Sequence, residues 1–425
     1  MHNLSRKLAS CLLVLILALG CGWVVSAAAE ETVTLVWSFW GDPGELPPND
    51  RVIEAFEAKY PHIKIEKQHA PWSSYFDRIQ TQMAGGVAPD VMFLNNIPSY
   101  ASRGVLMPLD DLIAETGYDI SPYYPELLRI FTFNDVVYGF PRDNDTTVFY
   151  YNKGLFDETG VAYPDGSWTW DDFLEAAKKL TKTDARGRTT QYAVALENNT
   201  YPVWVYQNDG KVFDDAMYPS EFMLHEPKGV EAIQFIADLI NEYKVAPSFA
   251  QMLQLGSSTD LFQSGRVAMA MTNAARIPSF QQAKFEWGIA PLLAGPTGIR
   301  ANTMGGAGYV ISANTKHPEE AWTFLRFLAG EEGQAIFAST GVAVPAYRSD
   351  TTREAFVSAV PGGYGHVFIN ETENGVLFPI FDGWVEVSTS IVNPALDLIW
   401  IGEKTAADAL ADIADEVQAY LDSKR

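Results

Sequence analysis

The sequence predicts an α/β protein of two or three domains, and three observations carry that reading. The chain is 425 residues long, which at about 150 residues per domain is too much for one small module. From residue 32 onward, short apolar runs alternate with amphipathic stretches, as in a sheet with helices on its faces. No repeat and no low-complexity linker interrupts that alternation. Residues 33–37 read as a buried strand. Residues 51–60 follow as a helix with Val52, Ile53, Phe56 and Tyr60 at helical spacing, stopped by Pro61. A second strand is expected at 63–66, and a second helix at 74–83, closed by Gly85 and Gly86. Pro89 and Asp90 then lead into a strand at 91–94, giving a β-α-β-α-β opening. Further on, Thr169 caps a helix through Leu180, and Pro227 and Pro318 sit in the first turns of helices through Tyr243 and Ala329. Thr405, with Asp408 three residues later, opens the last helix, whose Leu410, Ile413, Val417 and Leu421 share one face. Extended stretches at 136–151 and 287–293 are not floppy in composition, so a chain passing between lobes there would do so in ordered strands.

With 47% hydrophobic and 20% charged residues, wholesale disorder and a collagen-like repeat are excluded. The balance of 30 Lys+Arg against 53 Asp+Glu gives a net charge of −23, which repels phosphate backbones and anionic lipid and argues against nucleic acid as a partner. The 11 Trp and 19 Tyr suit ligands that are half apolar and half hydroxyl. At the start, Arg6 and Lys7 precede an apolar stretch at 8–25 and the small residues 26–29, the pattern of a secretory signal at 1–29 cleaved near Ala29. The alternatives are an uncleaved anchor, since about 18 apolar residues just span a bilayer, or lipidation of Cys21, because residues 18–21 (ALGC) resemble a lipoprotein box. Cys11 and Cys21 both lie in this segment, so the mature domain is expected to hold no disulfide.

The six histidines have no metal-ligand spacing, and no metal and no cofactor is expected. No nucleophile elbow, Walker loop or zincin motif occurs. Residues 143–145 (DND) open like a calcium loop, but the glycine and distal glutamate that should follow do not. The run at 304–308 (MGGAG) reads first as a turn allowing close backbone approach, with Gly305 and Gly306 as candidate backbone contacts to a ligand.

Ordered blocks then resemble the extracellular solute-binding proteins of ABC importers, in the carbohydrate-binding family that includes maltose-binding protein. They are VWSFWGD at 36–42, APDV at 88–91, YGFP at 138–141, YYNKGLF at 150–156, TWDDF at 169–173, FQSGRVAM at 262–269 and EEAW at 319–322. The resemblance implies a two-lobed α/β fold of the type II periplasmic-binding-protein kind, with the ligand in a cleft between the lobes. It places one lobe at 30–144 plus 292–345 and the other at 145–291 plus 346–425. Closure about a hinge would trap the ligand. It also implies a carbohydrate ligand, ABC transporter permease subunits as partners, and a monomeric, extracytoplasmic, non-catalytic protein.

Carried over by position, Trp40 and Asp42 fall at the edge of the first lobe, where an indole can stack on a sugar ring while a carboxylate accepts its hydroxyl protons. Asn95 follows its strand, where ligands collect in open α/β sheets. Trp72 could reach the same rim or serve packing alone. Asp143 and Asp145 follow the first crossing. Trp204 matches an aromatic region of the second lobe, and Trp384, nine residues before Asn393, matches the spacing of a stacking tryptophan. Where many relatives carry Asn-Gly-Pro/Ser-Trp, this chain has Asn273, Ala274, Ala275 and Arg276, so arginine replaces a stacking tryptophan and an acidic sugar becomes conceivable. A secreted carbohydrate-active enzyme, or the same fold binding a peptide, polyamine or phosphate ester, are the alternative functions.

Overall fold

The computed structural model describes residues 32–41 and 46–424. Asp42, Cys11, Cys21 and the signal segment lie outside the described residues. Two five-stranded sheets organise the chain. In chain order their strands are β1 (Val33–Trp40), β2 (Ile63–Ala70), β3 (Val91–Leu94), β4 (Gly139–Pro141), β5 (Val148–Asn152), β6 (Lys182–Thr183), β7 (Thr189–Ala195), β8 (Val267–Thr272), β9 (Trp287–Ala290) and β10 (Gly308–Ile311). The first sheet has the order β2-β1-β3-β10-β4 and the second β9-β5-β8-β7-β6.

In the first sheet β1 runs parallel to β2 and β3, as a β-α-β-α-β opening requires, and the returning β10 pairs antiparallel with β3 and β4. Leu35, Trp37 and Phe39 alternate along β1 onto one face. There Trp37 meets Phe324 of the helix Pro318–Ala329, ring centroids 5.4 Å apart. On the other face, Tyr75 of the helix Trp72–Ala84 donates to the Ser38 carbonyl at 2.9 Å. Asp90, inside the APDV block, is a structural joint. It accepts from the Val36 amide at 2.8 Å and from the Thr315 hydroxyl at 2.6 Å, tying β1 to the loop beyond β10.

The second sheet also sorts its side chains by alternation. Phe149 and Tyr151 of β5 join a core with Trp170 and Phe173, whereas Val148 and Tyr150 face Phe262, Phe280 and Phe368. The helix Trp170–Leu180 starts on a capping box between Thr169 and Asp172, as its sequence requires. The first helix begins earlier than its apolar spacing indicated, at Leu46 rather than residue 51, because Pro47 and Pro48 occupy its first turn, where no intrahelical N–H is needed.

Burial shows which core each returning segment joins. Leu292 and Leu293 remain in the core of the second lobe, while Met304 joins that of the first. Ala346 is buried in the first core, and the Arg348 guanidinium donates to the carbonyls of Ser121, Pro122 and Tyr123 at 3.0 Å each. Around the returning chain the two sets interleave, since Ala338 and Val344 are buried with Tyr150 and Phe368 while Phe337 and Ala346 lie in the first core.

The crossings are sealed by buried polar contacts. The Asn302 amide donates to the Thr147 carbonyl at 2.7 Å, and Thr146 lies 3.1 Å from Thr372, hydroxyl to hydroxyl. Arg300 donates to Glu371 at 2.7 Å, and Glu371 is 3% exposed. Burial raises the Glu371 carboxyl above its ordinary range, with Arg300 opposing that shift. Removing the guanidinium strands a buried carboxylate. Arg300→Ala is expected to lower unfolding free energy by about 3 kcal/mol in urea titrations, and the double change Arg300→Met with Glu371→Met to restore most of it.

Candidate functional site

The C-terminal ends of strands from both sheets open into one cavity of about 560 Å³ between the lobes. In open α/β sheets this is where ligands bind, because strand ends and the loops after them leave backbone and polar side chains without sheet partners. Trp40 ends β1, Trp72 follows β2 and Asn95 follows β3. Glu197 and Asn199 follow β7, and Asn273, Ala275 and Arg276 follow β8. The crossing adds Arg142, Asp143, Asn144 and Asp145, and the returning chain adds Gly306, Phe337 and Val342.

The first-lobe wall is aromatic. Trp40 is half-buried on Phe93, with centroids 4.2 Å apart, so much of its ring serves packing. Trp72 is 54% exposed and meets Trp40 edge-on at 5.0 Å and Phe76 at 4.8 Å. Two perpendicular contacts hold its edge and leave indole surface open. The Asn95 side-chain Oδ1 accepts from the Asn96 backbone N–H at 2.8 Å, which orients the side chain.

The polar wall comes from the crossing and the second lobe. Arg142 lies over the Phe93 ring at 4.1 Å and donates from Nε to Asp143 at 2.8 Å. The other Asp143 oxygen accepts from the Ala307 amide at 3.2 Å, so this carboxylate is largely satisfied within the protein. Asp145 accepts from the Asn273 side-chain amide, and its own N–H donates to the Gly305 carbonyl at 2.8 Å. Its side chain is exposed at the cleft surface, yet protein atoms of both walls crowd around it. That burial first, and the neighbouring Asp143 carboxylate second, push its pKa up to about 6; the Asn273 donor and then Arg276 oppose the shift. Arg276 makes no ion pair among the described residues, and its Nε is buried without a hydrogen-bond partner. Glu197 accepts from the Ser258 hydroxyl at 2.5 Å. Among the described residues, no group of three or more His, Cys, Asp or Glu could hold a metal ion.

Of the residues singled out in the sequence, Trp40, Asn95, Asp143, Asp145, Asn273, Arg276 and Gly306 are brought together here, and Trp72 joins them. Asp42 lies outside the described residues. Gly305 acts through its backbone, accepting from Asp145 and donating to Asn144, and does not line the cavity. Two expected stacking residues belong to the core instead. Trp204 is 1% exposed and packs against Trp170, Phe173 and Phe235, because its helix Tyr201–Gln207 is buried on nearly every side. Trp384 is 8% exposed, boxed by Phe213, Phe378 and Phe381, and does not line the cavity that Trp40 faces. The reading missed Arg142, Glu197, Asn199, Phe337 and Val342. The strand-end rule that selected Asn95 would have found Glu197 and Asn199, which follow β7 in the same way.

Gly306 tests how tightly the crossing is set. A Cβ there would lie 2.3 Å from the Asp143 carbonyl oxygen, whereas one at Gly305 would meet nothing within 4 Å. Gly306→Ala is expected to cost about 1–3 kcal/mol of stability, read from denaturant midpoints, with Gly305→Ala close to the parent.

Comparison with known proteins places this architecture. The model of the family described as bacterial extracellular solute-binding protein matches residues 48–335. The arabinooligosaccharide-binding protein of Bacillus subtilis is 25% identical over 350 residues, covering 77% of each chain. The sn-glycerol-3-phosphate-binding periplasmic protein UgpB of Escherichia coli O1:K1 is 26% identical over 431 residues, covering 93% of each. Among solved structures, the ABC substrate-binding protein Lmo0181 from Listeria monocytogenes, in complex with cycloalternan, aligns with a TM-score of 0.82 at 28% identity, over 92% of this chain and 99% of that one.

Proposed function

This chain belongs to the bacterial extracellular solute-binding protein family, and we propose that it captures a sugar or oligosaccharide in the interlobe cleft and hands it to the permease of an ABC importer. The family consists of substrate-binding proteins rather than enzymes, and its members work outside the cytoplasm. One observation carries the choice of ligand: open indole surface at Trp72 faces the same cavity as Asp145, Asn273 and Arg276. A pyranose has one face of C–H bonds and a rim of hydroxyls, so it can stack on the first wall while donating to and accepting from the second. A micromolar dissociation constant requires about −8 kcal/mol, within reach of stacking plus several charge-assisted hydrogen bonds. The arabinooligosaccharide and cycloalternan partners named for two relatives are of this class.

In this reading the protein acts as a monomer without a chemical step and leaves its ligand intact. The leading segment is removed near Ala29 or tethers the chain through a lipidated Cys21. Arg276, a cation without an ion-pair partner among the described residues, favours one further reading, a ligand that also carries an anionic group, such as a uronide or a sugar phosphate. Native mass spectrometry of freshly purified protein, followed by thermal-shift screening of neutral oligosaccharides, uronides and sugar phosphates, separates these readings. A carried-over or stabilising carbohydrate, recovered unaltered after long incubation, is the expected result. Stabilisation by none of them, or release of reducing ends, overturns the proposal.

Asp145 makes the proposal sensitive to pH. A hydroxyl donates to the carboxylate, so affinity for the carbohydrate identified by that screen is expected to weaken as pH falls through about 6, and Asp145→Asn to abolish that dependence in calorimetric titrations. The ligand-free fold responds in the opposite sense. Its Asp145 holds a proton to higher pH than in the unfolded chain, so this group's contribution to stability declines as pH rises from the ordinary Asp value of 3.8 towards 6. Trp72→Ala should weaken the same carbohydrate by about tenfold, the scale of one lost aromatic contact, with its melting temperature near the parent's because Trp72 is largely exposed.

A further inference from the structure

A loop of the second lobe is anchored inside the first. Residues 212–223 form a hairpin in the second lobe, closed by Met223 N–H donating to the Val212 carbonyl at 2.9 Å and by the pairing of Phe213 with Phe222. Gln418 of the C-terminal helix donates to the Ser220 carbonyl at 3.0 Å and roots the hairpin in that lobe. Its tip crosses over. Met217 is 3% exposed and lies in the hydrophobic core of the first lobe. On either side of it, Asp215 accepts from Arg129 at 2.5 Å, and the Tyr218 hydroxyl accepts from the Asn134 amide at 2.9 Å, while its ring stacks on Phe133 at 6.5 Å.

The tip is also internally stiff. Asp215 accepts from the amides of Met217 and Tyr218 at 2.8 and 2.9 Å, and Asp214 from those of Ser220 and Glu221 at 2.7 and 2.9 Å. The Ala216 carbonyl accepts from the Ile380 amide at 2.8 Å. Three residues before Ile380, Leu377 closes the ladder of Gly375–Leu377 with the crossing strand Asn302–Met304. The anchor therefore sits beside a hinge strand, and none of its residues lines the ligand cleft. Next to it a gap of about 440 Å³ opens between Arg129 on one side and Lys211 and Asp214 on the other.

We infer that the segment from Asp214 to Ser220 is a fixed pivot that sets the axis of lobe movement and limits how far the ligand-free cleft opens. When two bodies rotate relative to each other, only points near the axis keep contact with both. A methionine seated in a close-packed core cannot slide without leaving a cavity. Rotation is then confined to axes passing near Met217 and the crossing strands, which removes twisting and sideways excursions that would misalign the two walls of the site. The device acts without touching ligand, by restricting the open ensemble from which closure proceeds.

Pulsed dipolar spectroscopy on the ligand-free full chain tests this. Cys11 and Cys21 are replaced by serine, and spin labels are placed through Ser73→Cys and Ala275→Cys, exposed positions on the two sides of the cleft mouth. Met217→Ala, and separately the surface pair Arg129→Ala with Tyr218→Phe, are expected to broaden the interlabel distance distribution and move it to longer distances. The surface pair leaves both cores untouched, so it decides the matter should Met217→Ala fail to fold. Broadening in either variant supports the pivot. Distributions that superimpose on the parent's in every folded variant overturn it, even where melting temperature falls.

Discussion

The short crossing at 142–147 is the constraint on which the rest of the molecule depends. Its backbone is held from both flanks: Arg142 donates to the Ala307 carbonyl at 2.9 Å, Asp145 donates to Gly305, and Asp143–Asn144 pairs antiparallel with Val344–Pro345. An extended chain fixed in this way must send successive side chains to opposite sides. Arg142, Asp143 and Asp145 reach the cleft, while Asn144, which touches its edge, and Thr146 turn towards each other and Thr372 in the buried seam. A slip of one residue would exchange carboxylates for an amide and a hydroxyl. The register of one strand thus sets both the polar wall of the site and the sealing of the hinge, which explains why Gly306 has no room for a side chain against the Asp143 carbonyl.

The two walls have different origins in the chain. The first sheet ends in large rings, Trp40 after a buried β1 and Trp72 after β2, and these pack on one another before any ligand arrives. The second sheet ends in Glu197, Asn199 and Asn273, short polar groups carried on 3-10 turns just past β7 and β8. Neither wall alone complements a molecule with an apolar face and a hydroxylated rim. Their meeting in one cavity depends on the crossings, so recognition is a property of the interlobe geometry rather than of either sheet. The protein's net charge of −23 plays little part in this, because the cleft sets Arg142 and Arg276 against Asp143, Asp145 and Glu197.

How much of this was legible in the sequence follows from the range of the interactions involved. The β-α-β-α-β opening, the capping box at Thr169 and the helix Pro318–Ala329 rest on local spacing, and local spacing is what a sequence displays. The family resemblance located Asp145, Asn273 and Arg276 because strand-end loops keep their place in the fold. It failed at Trp204 and Trp384. An indole beside turn residues reads the same whether it faces a rim or a core, and only Phe235 and Phe213, distant in sequence, settle which. Arg142 was invisible for the same reason, since its role arises from the rings of Phe93 and Phe337, some 50 and 195 positions away. The anchoring of Met217 in the other lobe's core has no local signature at all; an acidic pair followed by Ala and Met reads as a surface turn.

Some of the groups that define the site are incompletely satisfied within the protein. Asp143 is saturated by Arg142 and the Ala307 amide, and so can contribute little to binding beyond its charge. That charge raises the proton affinity of Asp145, whose carboxylate has one side-chain donor among the described residues, while Arg276 makes no ion pair among them. An uncompensated polar group in a confined space destabilises the empty protein, and a solute that completes its hydrogen bonds relieves that destabilisation on binding. Discrimination follows from the same accounting: a solute that shuts out solvent but lacks the right hydroxyl leaves Asp145 with the Asn273 donor alone, and is rejected more strongly than the loss of one contact would suggest.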